Sequence, residues 1–192
     1  MPAVLDTLAA QLGEQAALPP VHLWHPELSG DIDIVIRRNG EWWHEGGPIQ
    51  RQSLVNLFAS ILRREDDGHY YLVTPVEKWR IAVEDQPLLV VDFDVENAGI
   101  PQQRVIVTTN VDRKYLLGKT YPVSIASKVH GAELSEQDDS AGAERIPVVE
   151  LDNGLQARFD RPAWYRLVDA GAVHADRLEL VSDGQRFTIG YL

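Results

Sequence analysis

The chain has 192 residues, no cysteine and a formal net charge of −11 at pH 7. That length fits one large domain or two small ones, at roughly 100–200 residues per domain. The missing cysteine excludes disulfides, thiolate metal sites and a cysteine nucleophile and suits a reducing cytoplasm, while the acidic balance argues against general affinity for nucleic acid or anionic membrane and leaves room for one small anion in a local basic pocket.

No apolar run approaches the ~20 residues of a membrane span, and the opening "MPAVLDTLAAQLGEQAAL" lacks the basic start of a signal peptide. Leu5, Leu8 and Leu12 instead predict a short amphipathic helix within residues 1–20, stopped by Pro19-Pro20. Ile32, Ile34 and Ile36 then alternate with Asp31, Asp33 and Arg37, the pattern of a half-buried strand. Asn39-Gly40 supplies the positive φ angles of a tight hairpin turn, Glu41 to Glu45 returns, and Gly46-Gly47-Pro48 breaks the sheet. Leu54, Leu57, Phe58, Ile61 and Leu62 fall on one face of a predicted helix, with Arg63 and Arg64 in its last turn, where cations favour the helix dipole. Asp66-Asp67-Gly68 turns the chain into "LVTPVEKWRIAV", a buried strand whose odd positions carry Glu77, Trp79, Ile81 and Val83.

A boundary is expected at Gln86-Pro87, separating a first α+β domain (21–86) from a second, strand-rich one (87–192). In the second, Leu89, Val91, Phe93 and Val95 alternate with Asp92 and Asp94, and "RVIVTTN" and "YPVSIAS" add strands. "ELSEQDDSAGAER", Glu133 to Arg145, has the composition of a solvated loop. The grammar of the first half then returns. Asn153-Gly154 echoes Asn39-Gly40, Pro162 echoes Pro48, and "LVSDGQRFTIGY" echoes "LVTPVEKWRIAV". Trp164, Leu167 and Val168 make the apolar face of the second helix, and Gly171 suits its C-cap. The expected architecture is α+β, two small domains with a repeated hairpin–helix–strand motif.

Chemistry-bearing residues are sparse. Glu77 stands at the rim of an apolar strand face, as Gln185 does in the echo, and a carboxylate there needs a cationic or hydrogen-bonding partner. Arg51, Arg63 and Arg64 are the candidates. Glu77 is either a structural ion-pair residue or a group that orients a ligand or handles a proton. "GGPIQR" offers backbone amides and Arg51 to an anion, or simply a tight turn before a helix; the GxxxxGK[ST] pattern is absent. His22 and His25 lack convincing third and fourth ligands, so no metal is expected. Trp42-Trp43 either packs across the hairpin or offers an aromatic docking face. None of GxSxG, GxGxxG or HExxH occurs, and no cofactor is expected.

"GDIDIVI", "NGEWWHEGGPIQR", "LFASILRREDDGHYYLVTPVEK", "IAVED" and "RPAWYRLVDAG" together resemble the bacterial domain-of-unknown-function family 1285, over residues 30–171. The resemblance implies a two-domain α+β protein with a repeated core motif and a C-terminal domain superficially like pleckstrin-homology folds. It also implies a cleft between the domains that binds a nucleotide-like ligand in signal transduction. The motif positions that could line such a cleft are Arg51, Arg64, Thr74, Glu77 and Lys78. The function expected on this basis is small-ligand binding in a regulatory protein of the cytoplasm. The alternatives are an enzyme using Glu77 as general base and a module that binds a protein partner.

Overall fold

The computed structural model of the chain describes residues 18–129, 132–133 and 144–191. The helix expected before Pro19 and most of the acidic loop lie outside the described residues. Two compact units divide the chain, Met1–Pro87 with Asp152–Leu155, and Leu88–Leu151 with Gln156–Leu192.

The first unit contains β1 (Leu28–Ile36), β2 (Trp42–His44), β3 (Gly47–Pro48), α1 (Gln52–Ser60), β4 (Leu62–Arg64), β5 (Tyr70–Val73) and β6 (Lys78–Val83). These strands form one six-stranded sheet in the order β3-β2-β1-β6-β5-β4. All neighbours are antiparallel except β1 and β6, which run parallel, with β2, β3, α1, β4 and β5 intervening between them in the chain. The alternation of β1 is as expected, with Ile34 and Ile36 fully buried and Asp31 and Asp33 exposed. Trp42 opposes Ile36 and stacks on Phe58 of α1 with ring centroids 6.3 Å apart, so the helix covers this face of the sheet.

Three local expectations are corrected. The hairpin turn is one residue wider than a two-residue type: Arg37 N donates to Glu41 O and Gly40 N to Arg37 O, and Gly40, but not Asn39, has positive φ. Pro48 lies in β3, and the helix begins four residues later behind Arg51. The helix also stops at Ser60, its buried face being Val55, Phe58 and Ala59. Leu62 to Arg64 pair instead with Tyr70 to Leu72, so Arg63 and Arg64 are strand residues and lie on no helix. Leucine and arginine are good helix formers, yet a ladder with β5 overrides that preference.

The second unit has a seven-stranded sheet in the order β11-β10-β12-β13-β7-β8-β9 and a three-stranded sheet, β14-β15-β16. The strands are β7 (Leu88–Glu96), β8 (Arg104–Thr109), β9 (Lys114–Leu116), β10 (Val123–Val129), β11 (Ala132–Glu133), β12 (Glu144–Glu150), β13 (Gln156–Phe159), β14 (Ala172–His174), β15 (Arg177–Ser182) and β16 (Gln185–Tyr191). The helix α2 (Arg161–Ala170) follows β13. Along β7 the expected alternation breaks at a register shift between Val90 and Asp92. Leu88 and Val90 are fully buried, Val91 turns outward, and Phe93 is buried again, the signature of a bulge that switches parity. The fully buried Ser182 ties the small sheet to the large one: its Oγ accepts from Val105 N at 2.8 Å and donates to Leu117 O at 2.6 Å.

The repeat is present in element order. Each copy runs hairpin (β1–β2, β12–β13), helix (α1, α2) and a three-strand antiparallel meander (β4–β6, β14–β16). The copies part at the last step. β6 returns to pair with β1, whereas β14–β16 close a sheet of their own. The two helix starts differ as well. Asp160 Oδ1 accepts from Ala163 N at 2.8 Å to cap α2, while no side chain caps α1. Gly171 is the C-cap of α2, as expected, with extended backbone, φ −80° and ψ 163°, and its N donates to Val168 O at 3.1 Å. Its role is close approach, since a Cβ there would lie 2.9 Å from Leu178 Cδ1 and 3.2 Å from Glu179 O.

Candidate functional site

The five motif residues all fall in the first unit, on four different local structures. Arg51 is exposed at the start of α1, with its carbonyl accepting from Leu54 N and Val55 N. Arg64 ends β4 and lies over the Tyr70 ring, 5.8 Å from its centroid. Thr74 is fully buried, and its hydroxyl closes the β5–β6 turn by accepting from Glu77 N at 3.0 Å while Thr74 N donates to Glu77 O at 2.9 Å. Glu77 is half-buried just before β6, and its carboxylate accepts from Trp79 Nε1 at 3.4 Å. Lys78 opens β6 and reaches Glu65, Nζ to Oε2 3.0 Å, with its ammonium 4.9 Å from the centroid of the Tyr71 ring.

Strand parity separates them further. Directly opposed residues of an antiparallel ladder share a face. Arg64 opposes Tyr70, which opposes Ile81, so Arg64 belongs to the α1-covered face. Lys78 opposes Val73 and shares its face with Tyr71, Arg80 and Arg63. Arg64 and Lys78 are therefore on opposite faces. Arg51 stands apart from both, because α1 spans nine residues, about 13 Å at ~1.5 Å per residue. Its far end leads into β4, beside the Thr74 turn. Two of the motif cations, Arg64 and Lys78, are thus divided between the two faces of the sheet.

What does converge is an ionic network on the sheet face away from α1. Arg63 donates through Nη1 to Val21 O (3.0 Å) and Trp24 O (2.8 Å) and through Nη2 to Glu65. Glu65 is thus shared between Arg63 and Lys78. Burial pushes the Glu65 carboxyl up, but the hydrogen bonds from Lys78 and Arg63 outweigh it and hold the group below the usual glutamate value. Tyr71 OH donates to Asp67 Oδ2 at 2.6 Å. That bond, with burial behind it, pushes the Tyr71 hydroxyl up to about 12. Arg80 grips Asp31 with both fork nitrogens, Nε to Oδ1 2.8 Å and Nη2 to Oδ2 2.7 Å, and this hydrogen bonding lowers the Asp31 carboxyl. Of the three arginines considered as partners of Glu77, Arg63 is committed to Glu65, and the Glu77 carboxylate accepts from Trp79 Nε1.

Sequence reading missed Asp31, Glu65, Asp67, Tyr71 and Arg80 as members of this network. Assigning Arg63 and Arg64 to a helix hid the i, i+2 alternation that puts Arg63 and Glu65 on one side. The pair Trp42-Trp43 divides: Trp42 is core, 2% exposed, and Trp43 lies under the Arg37 guanidinium, 5.2 Å from the ring centroid, on the outer face. Among the described residues no group of three or more His, Asp or Glu is arranged to hold a metal ion, and no helix is long and apolar enough to cross a membrane.

The fold defines a class: a sheet-dominated α+β chain of two units, each built on a hairpin, a helix and an antiparallel meander. The family model described as "Domain of unknown function (DUF1285), N-terminal domain" matches residues 19–86, and the model for the C-terminal domain of the same family matches residues 87–189. The chain belongs to the DUF1285 family. It is similar to the crystal structure of a DUF1285 family protein from Silicibacter pomeroyi DSS-3, at 38% identity and TM-score 0.80, covering 93% of this chain and 91% of that one. It is also similar to a DUF1285 family protein from Shewanella baltica OS155, at 28% identity and TM-score 0.51, covering 73% of this chain and 94% of that one. No curated protein matches the chain significantly.

Proposed function

We propose that the chain is a regulatory protein that binds a small nucleotide-like anion, and that Arg51 is the group that engages the anion. One observation carries this reading. Arg37, Arg63, Lys78 and Arg80 are each committed to a carboxylate, whereas the exposed Arg51 guanidinium makes no hydrogen bond or ion pair among the described residues. It stands at the start of a helix with no side-chain cap and no acidic residue in its first turn. The partial positive charge of a helix start and a bidentate guanidinium both favour a phosphate or carboxylate. The overall charge of −11 would disfavour long polyanions while a compact anion can still approach a local cation.

Of the other motif residues, Glu77 is half-buried at the β5–β6 turn, and its carboxylate, which accepts from Trp79 Nε1 at 3.4 Å, has capacity to accept from a ligand hydroxyl or amine as well. Arg64, Thr74 and Lys78 act in this reading by building the sheet and its turn. A thermal-shift screen against nucleosides, nucleotides and phosphorylated metabolites tests the proposal. Ligand at 100 times its dissociation constant should stabilise the protein by about 2.7 kcal/mol. A screen in which phosphorylated compounds shift the melting temperature no more than their unphosphorylated counterparts would overturn it.

A further inference from the structure

Strand β5 is buried on both sides, although α1 covers only one face of its sheet. Leu72 is shielded on the α1 side, and Tyr71 and Val73 are shielded on the other. Arg63, the register partner of Tyr71, brings residues 18–27 onto that second face by donating to the carbonyls of Val21 and Trp24. The Val21 side chain is fully buried there. Residues 18–27 pair with no described strand. Their backbone hydrogen bonds are internal, from Val21 N to Pro19 O, Leu23 N to Pro20 O and Trp24 N to Val21 O. Among the described residues, Arg63 is the one side chain that hydrogen-bonds the segment. Its outer side carries the exposed His22, Leu23 and His25. The segment is thus a strap, seated through Val21 and one arginine fork.

We propose that residues 18–27 are an autoinhibitory occupant of a peptide-recognition groove, and that the groove takes an extended, proline-containing segment of a partner in their place. The occupant shows what the groove fits. It offers Arg63 two carbonyls three residues apart and buries a β-branched aliphatic side chain at the first of them, between prolines 19, 20 and 26. Proline presets the backbone, so a segment of this kind binds at a low ordering cost. A planar guanidinium fork holds both carbonyls at once, which a lysine point charge would not. The strap is displaceable because leaving breaks no ladder hydrogen bond, so the sheet keeps its pairing. It is also a strong competitor: a segment tethered directly to β1 meets the groove at about millimolar effective concentration. A free partner segment therefore finds the groove closed until the strap is released. Release bares Tyr71 and Val73 beside Arg63, which Glu65 still holds. None of these contacts involves Arg51, so the groove is separate from the anion site.

A fluorescent synthetic peptide of residues 18–27, LPPVHLWHPE, is titrated by anisotropy into three full-length proteins: the parent, Val21→Asp, and Val21→Asp combined with Arg63→Gln. A carboxylate at the buried position 21 ejects the strap. The peptide is expected to bind Val21→Asp at least ten times more tightly than the parent, and to lose at least tenfold when Arg63→Gln is added. Equal affinities for the parent and Val21→Asp, or binding indifferent to Arg63→Gln, would overturn the proposal. Hydrogen exchange of the parent decides the case in which Val21→Asp does not fold. The Val21, Leu23 and Trp24 amides should exchange at least ten times faster than the amides of β5. Equal protection would make residues 18–27 a fixed part of the core and would sink the proposal.

Discussion

The Tyr71 hydroxyl donates to Asp67 Oδ2 at 2.6 Å across the turn that joins β4 to β5, and this bond pushes Tyr71 up to about 12 while holding the Asp67 carboxyl below its usual value. Both shifts translate into pH-dependent stability. A tyrosine raised in the fold contributes stability that is complete below about pH 10, its unfolded value, and is lost as pH climbs toward 12. The depressed Asp67 contributes stability present above about pH 4 and lost as pH falls further. Urea midpoints of the parent should therefore fall between pH 10 and 12, and Tyr71→Phe should be less stable at pH 8 and flatter over that alkaline range. A variant as steeply alkali-sensitive as the parent would place the titration elsewhere.

Phe58 is fully buried and stacked on Trp42, so it joins α1 to the first hairpin. Phe58→Ala should cost about 3–5 kcal/mol, the range for truncating an enclosed phenylalanine. Chemical denaturation measures it, and a loss below about 1 kcal/mol would mean that α1 does not seal this core.

Arg63 makes three directed contacts, to two carbonyls and to Glu65. A lysine ammonium cannot reproduce that fork from the same strand position. Arg63→Lys should lose about 1–3 kcal/mol, the scale for hydrogen bonds to a charged group. Urea unfolding of the two proteins is the check, and equal stability would show that the segment before β1 is anchored by other contacts.

Gly154 has φ +69°, and a Cβ there would stand 3.0 Å from Arg64 O. Gly154→Ala should cost roughly 1–2 kcal/mol for the left-handed backbone alone, with the clash adding to it. A neutral or stabilised variant, the usual result where alanine fits, would contradict the placement of the Asp152–Leu155 turn against β4.

Much of the fold was legible because local pattern and tertiary role agreed. Ile32, Ile34 and Ile36 announced β1 by alternation, Asn153-Gly154 announced a turn in which both residues take positive φ, and Trp164 to Val168 marked α2. Where they disagreed, tertiary pairing won. Ile61-Leu62-Arg63-Arg64 continues a helical pattern, yet Leu62 to Arg64 ladder with β5. A bulge at Val91, invisible to a parity count, reverses the inward set of β7. The candidate site suffered for the same reason. Arg64 and Lys78 look alike as cations flanking one motif, but their faces follow from a register that only the paired strands define. The exposed position of Arg51 follows from a helix start, which the sequence placed within a few residues.

Anion recognition by Arg51 is the central claim, and calorimetric titration tests it most directly. The strongest phosphorylated compound from the thermal screen is titrated into the parent and into Arg51→Gln, which keeps the bulk of the side chain and removes the charge. Loss of one charge-assisted contact should weaken binding at least tenfold, about 1.4 kcal/mol, with melting temperatures of the unliganded proteins unchanged because the Arg51 guanidinium makes no hydrogen bond or ion pair among the described residues. Equal dissociation constants for the two proteins would contradict the account.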